Sequence, residues 1–190
     1  MTVIEGIYIG RNVALLGMAV ICVYTDISRG KLYNAVTVTG LLLGLATAYL
    51  LDSQVYGIPH LSRAAVSALI GGGALLIGHV AGGLAGGDYK LMAAVGALGP
   101  VRLGSLSGPA HFSVTHIVWA LVFTVLAGAV IALGMAIWRG QFLRTLKGSL
   151  RSLVRFRVRK DPNHLPMTIP YGVAIGIGSI WAWVLLMLGS

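Results

Sequence analysis

The sequence predicts an all-α integral membrane protein of six transmembrane helices with both termini outside. Three observations lead there. Of the 190 residues, 57% are hydrophobic and only 10% are charged, a balance outside that of soluble domains. Apolar runs recur that are long enough to cross a bilayer, which takes about twenty residues at about 1.5 Å of helix rise each. Backbone polar groups in lipid must be satisfied inside each element, so these runs read as helices. Residues 1–190 form one membrane domain, without an internal repeat or a low-complexity tract.

The first span runs from about Ile7 to Tyr24, with Arg11 and Asn12 near its outer end. It has no basic leader and no small-residue cleavage site after it, so it does not read as a removable signal peptide. It stops at Thr25-Asp26-Ile27-Ser28-Arg29-Gly30-Lys31. The second span covers about Leu32 to Leu51. Asp52 to Ser62, with Gly57 and Pro59, reads as a connection. The third, about Ala64 to Ala81, runs into Gly82-Gly83-Leu84-Ala85-Gly86-Gly87-Asp88-Tyr89-Lys90-Leu91. The fourth starts near Asp88 and ends by Val101, after Gly99-Pro100. It is the shortest, so part of it is expected to be sheltered by protein rather than lipid. Leu103 to Thr115 reads as a loop. The fifth span is about His116 to Trp138 and the sixth about Thr168 to Leu188.

Charge sets the orientation. With the N-terminus outside, the inner segments carry eleven Lys and Arg and the outer ones only Arg11, Arg63 and Arg102. The opposite orientation reverses the bias and breaks the positive-inside tendency. Eight of the basic residues lie between Arg139 and Lys160. There Phe142, Leu143, Leu146, Leu150 and Leu153 recur at helical spacing, while Arg144, Lys147, Arg151 and Arg155 take another face. The segment about 139–166 therefore reads as a basic amphipathic stretch on the inner leaflet, or as a solvated linker carrying topological charge. Aromatic interleaving is too sparse for a nucleic-acid surface, so no nucleic-acid partner is expected.

Parity then pairs two of the five carboxylates. Asp26 ends the first span inside, the second and third spans form an out-and-back hairpin, and Asp88 returns to the inner face. Glu5 and Asp52 fall outside, and Asp161 sits in the basic segment. Two facing carboxylates cannot both ionise cheaply, so one serves as acid and the other as base. Such a pair can activate water against a peptide carbonyl and protonate the leaving amine. A helix starting at Asp88 favours the ionised form there and leaves the proton to Asp26. The plainer alternative is capping: Asp26 holding a loop, Asp88 an N-cap. Other chemistries fit less well. The lone Cys22 excludes an internal disulfide and any cysteine-based zinc site. Ser28 and Lys31 share a wet loop. His60, His79, His111, His116 and His164 show no shared ligand spacing, so no metal is expected.

Ala85-Gly86-Gly87-Asp88-Tyr89-Lys90-Leu91 resembles the GxGD-x-K-L motif of the type IV prepilin peptidases, intramembrane aspartic proteases of bacterial pilus and secretion systems. Asp26-Ile27, with Asn34 following, resembles their first aspartate motif, and Ile169-Pro170-Tyr171-Gly172-Val173-Ala174-Ile175-Gly176 their last-helix stretch. The likeness spans roughly Ile21 to Gly178. It departs at Ala85, usually glycine, and at Tyr33-Asn34, often Pro-Asn. It implies that Asp26 and Asp88 are the catalytic pair, with Gly86 and Gly87 as backbone support and Lys90 and Asn34 as supporting polar residues. It implies leader removal from prepilin or pseudopilin substrates, after a glycine, at the cytoplasmic face of the bacterial inner membrane, with no metal or organic cofactor. Larger relatives carry a cysteine-paired insertion and methylate the product; this chain resembles the short, peptidase-only branch of tight-adherence pili. The rival expectations are a small proton- or ion-coupled transporter, which binds near the bilayer midplane, a structural subunit of a pilus or secretion machine, and another GxGD protease of the preflagellin or signal-peptide type.

Overall fold

The computed structural model describes residues 2–54, 59–80, 84–100, 112–138 and 170–188. Among these are six helices: α1 (Val3–Arg29), α2 (Asn34–Gln54), α3 (His60–Val80), α4 (Gly86–Ala97), α5 (Phe112–Trp138) and α6 (Tyr171–Leu188). All but α4 are long and apolar enough to cross a membrane. Large apolar side chains such as Leu69, Ile77, Val125, Val130 and Leu188 point outward, the arrangement of a multi-pass membrane protein. The basic segment 139–166, Gly82, Gly83, Arg102, His111, Asp161 and His164 lie outside the described residues.

Helix α1 opens on a capping box: Glu5 N–H donates to Thr2 Oγ1 at 3.2 Å, and Thr2 N–H to the Glu5 carboxylate at 2.8 Å. The sequence reading ends this helix before Asp26; it in fact continues to Arg29. Thr25 and Ser28 are compatible with helix because their hydroxyls bond back to Cys22 O and Tyr24 O. The stop comes at Gly30, at φ 59°, whose N–H returns to Asp26 O. Asp26 therefore projects from the last turns of a helix rather than from a loop. At the far end of α2, the Asp52 carboxylate accepts the N–H groups of His60 and Leu61 and caps α3.

Helix α4 has 12 residues, about 18 Å at 1.5 Å per residue, against a hydrocarbon core of about 30 Å. Leu91, Met92, Ala94, Val95, Ala97 and Leu98 are buried, so protein surrounds most of it. It packs against α2, α3, α5 and α6. Gly96 lets the α3 backbone at Ser67 come close enough that a Cβ would strike it. Helix α5 begins at Phe112, so Phe112 to Thr115 are helical rather than loop, and α5 lies along α6.

One buried cation fastens the end of α4. Arg11 of α1 is 3% exposed. Its guanidinium donates to Gly44 O (2.8 Å) and Thr47 Oγ1 (2.7 Å) of α2, and to Ala97 O (2.9 Å) and Gly99 O (3.3 Å). A positive charge at the carbonyl end of a helix meets its negative pole. The sequence reading counts Arg11 only as an outer topological charge.

Candidate active site

The other end of α4 meets the last turns of α1 and the first turn of α6. Asp26 Oδ2 accepts the N–H of Val173 at 3.1 Å. Pro170 precedes α6, and the first N–H groups of a helix have no carbonyl within it to bond. Asp26 thus caps a helix 147 residues further along the chain. A carboxylate at a helix N-terminus meets its positive pole.

Asp88 is the third residue of α4 and only 3% exposed. The sequence reading offers Asp88 itself as the N-cap; the N-cap is Ala85, which has no side-chain acceptor. Asp88 instead reaches back, and its Oδ2 accepts the Ala85 N–H at 2.9 Å. Asp26 and Asp88 are close enough to interact electrostatically, and so are Tyr171 and Asp88. Two carboxylates 62 residues apart in sequence thus lie within electrostatic reach of each other, one at the start of α4 and one at the start of α6.

Leu32, in the link between α1 and α2, is wedged across this junction. A Cβ on Gly87 would fall 2.9 Å from Leu32 Cβ, and a Cβ on Gly172 would fall 2.8 Å from both Leu32 Cδ2 and Asp26 Oδ2. Bare glycine at 87 and 172 is what brings the starts of α4 and α6 this close. Gly86 differs: a Cβ there would make only an ordinary 3.7 Å contact with His79, so close approach does not demand glycine. Lys90 Nζ donates to Asn34 Oδ1 at 3.1 Å and ties α4 to the first residue of α2; Asn34 is exposed and Lys90 partly buried. His79 Nδ1 lies 2.8 Å from Leu84 O, and its ring sits 5.5 Å from that of Tyr89. Cys22 is buried, and the Ser28 hydroxyl is tied to Tyr24 O. Among the described residues, no three His, Cys, Asp or Glu form a cluster that could hold a metal.

Comparison with known protein families matches the type IV leader peptidase family over residues 13–137. That is about two thirds of the chain, and it includes both Asp26 and Asp88. The chain belongs to this family. Neither the curated proteins nor the solved structures contain a match. The match stops short of α6, so this leader peptidase receives its Asp26 contact from a helix beyond the matched residues.

The sequence reading pairs the two aspartates and singles out the Pro170-Tyr171-Gly172-Val173 stretch, but not the bond that joins Asp26 to Val173. It also passes over Leu32 and the Ala85 N–H. The proline followed by glycine at a helix start is the available signal that α6 begins there at a close contact.

Proposed function

We propose that this leader peptidase is an intramembrane aspartic endopeptidase in which Asp26 and Asp88 act as one catalytic pair. The supporting observation is the approach of two carboxylates from distant parts of the chain at the junction of α1, α4 and α6. One carboxylate takes a proton from water as the oxygen attacks the scissile carbonyl carbon. The other, protonated, hydrogen-bonds the developing oxyanion. Collapse breaks the C–N bond, and the leaving amine takes a proton from the pair. The two titrate as a unit, so the proton belongs to the pair.

The substrate on this reading is a prepilin or pseudopilin. Its basic leader stays in the cytoplasm, and the bond lies just before its apolar helix. The cleaved segment is extended on this reading, because helical peptide bonds are already hydrogen-bonded and hard to attack, and the glycine run in the sequence before Asp88 suits its approach. The membrane is the bacterial inner membrane, crossed six times in this reading with both termini outside. The chain sits in the peptidase-only branch. Purified protein in lipid vesicles, given a prepilin, should release a leader whose mass ends after glycine. Intact prepilin after prolonged incubation with folded protein contradicts the reading.

Two further outcomes follow from it. A membrane-impermeant label should reach a tag at Ser149 only from the cytoplasmic side, because eight basic residues lie around it. Periplasmic labelling would reverse the topology. Gly172→Ala should lower cleavage on the order of a hundredfold, because its Cβ displaces the Asp26 carboxylate and a misplacement of about 1 Å can cost that much. Gly86→Ala should lose far less. Equal rates for the two variants would contradict the geometry assigned to the pair.

A further inference from the structure

We propose that His79 positions Asp88 for catalysis through the single peptide group that joins Leu84 to Ala85. The carbonyl of that group lies 2.8 Å from His79 Nδ1. A carbonyl only accepts, so Nδ1 carries the proton and donates it. The N–H of the same group belongs to Ala85 and donates to Asp88 Oδ2 at 2.9 Å. The peptide is planar, so fixing its oxygen fixes the direction of its N–H. A hydrogen bond to the oxygen also polarises the group and strengthens the N–H as a donor. The chain is therefore imidazole to carbonyl, then amide to carboxylate.

This peptide stands outside the helices. Ala85 is extended, at φ −77° and ψ 153°, and α4 starts only at Gly86. The helical ladder therefore does not hold its orientation, and His79 supplies the bond to its oxygen. The ring of His79 is itself located by Tyr89, 5.5 Å away at a 45° tilt. Tyr89 follows Asp88 directly, so both ends of the chain of bonds return to the first turn of α4. His79 touches no reacting atom on this account; it is a positioning residue.

The inference rests on Asp88 being half of the catalytic pair. Two substitutions separate the donor from the ring. His79→Asn places an amide N–H where Nδ1 stands and removes the ring. His79→Phe keeps the ring against Tyr89 and removes the donor. Loss of one positioning hydrogen bond corresponds to about a tenfold change. In vesicles with a prepilin substrate, His79→Phe is expected to lower kcat about tenfold with KM unchanged. His79→Asn is expected to stay within about threefold of the wild type. Should the Phe variant not fold, His79→Gln replaces it with the same expectation, since its amide sits one bond too far out. Wild-type kcat in His79→Phe with a loss in His79→Asn means that only ring packing matters, and overturns the proposal. A rise in KM alone overturns it too, because it makes His79 a substrate contact. Asp88→Asn runs alongside. If that variant cleaves normally, the paired-carboxylate reading itself fails. If it is inactive while His79→Phe keeps wild-type kcat, only the role of His79 fails.

Discussion

Asp26→Asn and Asp88→Asn should each abolish leader cleavage, by on the order of a thousandfold or more, while the protein stays folded in the membrane. Asparagine keeps the size of the side chain and one acceptor oxygen. The bonds from Val173 to position 26 and from Ala85 to position 88 therefore largely survive. What asparagine cannot do is take a proton from water or return one as a carboxylic acid. This contrast matters because both carboxylates do cap helix N-termini, the geometry that a purely structural pair of acids would show. Capping predicts near-normal activity in both Asn variants, and catalysis predicts none. Asp52→Asn and Asp161→Asn are the controls and should cleave nearly as the wild type does. Asp52 has its own task, holding the first N–H groups of α3, so its variant shifts stability rather than activity. Processing is read as product mass, with helicity checked on each variant.

The second large effect is on stability. Arg11→Met should destabilise the protein by several kcal/mol, because each buried carbonyl left without a partner costs about 1–3 kcal/mol. Methionine fills similar space but donates nothing to Ala97 O and Gly99 O at the end of α4, whereas Gly44 O keeps the Thr47 hydroxyl. Short helix α4 would lose the cation at its carbonyl end while keeping Asp88 at the other. Arg11→Lys should fall between, since one compact ammonium cannot span acceptors on two elements as a guanidinium does. The measurement is a denaturant midpoint in detergent, with cleavage followed in parallel. A midpoint in Arg11→Met equal to that of the wild type would refute the clamp.

Much of this was legible from residue type and spacing. Apolar run length gives the helices, and chain parity puts Asp26 and Asp88 at one end of them. The short fourth run, bounded by Gly99-Pro100, reads correctly as sheltered, and α4 is indeed enclosed by its neighbours. The misses have physical causes. Asp26 looks like a loop residue because Thr, Asp and Ser disfavour helix in isolation. In the fold the hydroxyls of Thr25 and Ser28 bond within the helix, and termination waits for the left-handed Gly30. Arg11 looks like an outer charge because a lone arginine near a helix end usually reaches for water. Its partners are carbonyls 33 to 88 residues away, which no local pattern reveals. The Asp26–Val173 bond likewise joins positions 147 residues apart. Gly87 and Gly172 are conspicuous as glycines, but only the fold shows that Leu32 is what they both accommodate.

The central claim is that Asp26 and Asp88 form one catalytic unit. The direct measurement is the cleavage rate of the wild type, the two single Asn variants and the double variant, in one vesicle preparation with one prepilin. Groups that act together lose nearly everything when either is removed. The account predicts that the double variant is scarcely slower than either single. Losses that multiply, or near-normal cleavage by either single variant, would contradict it.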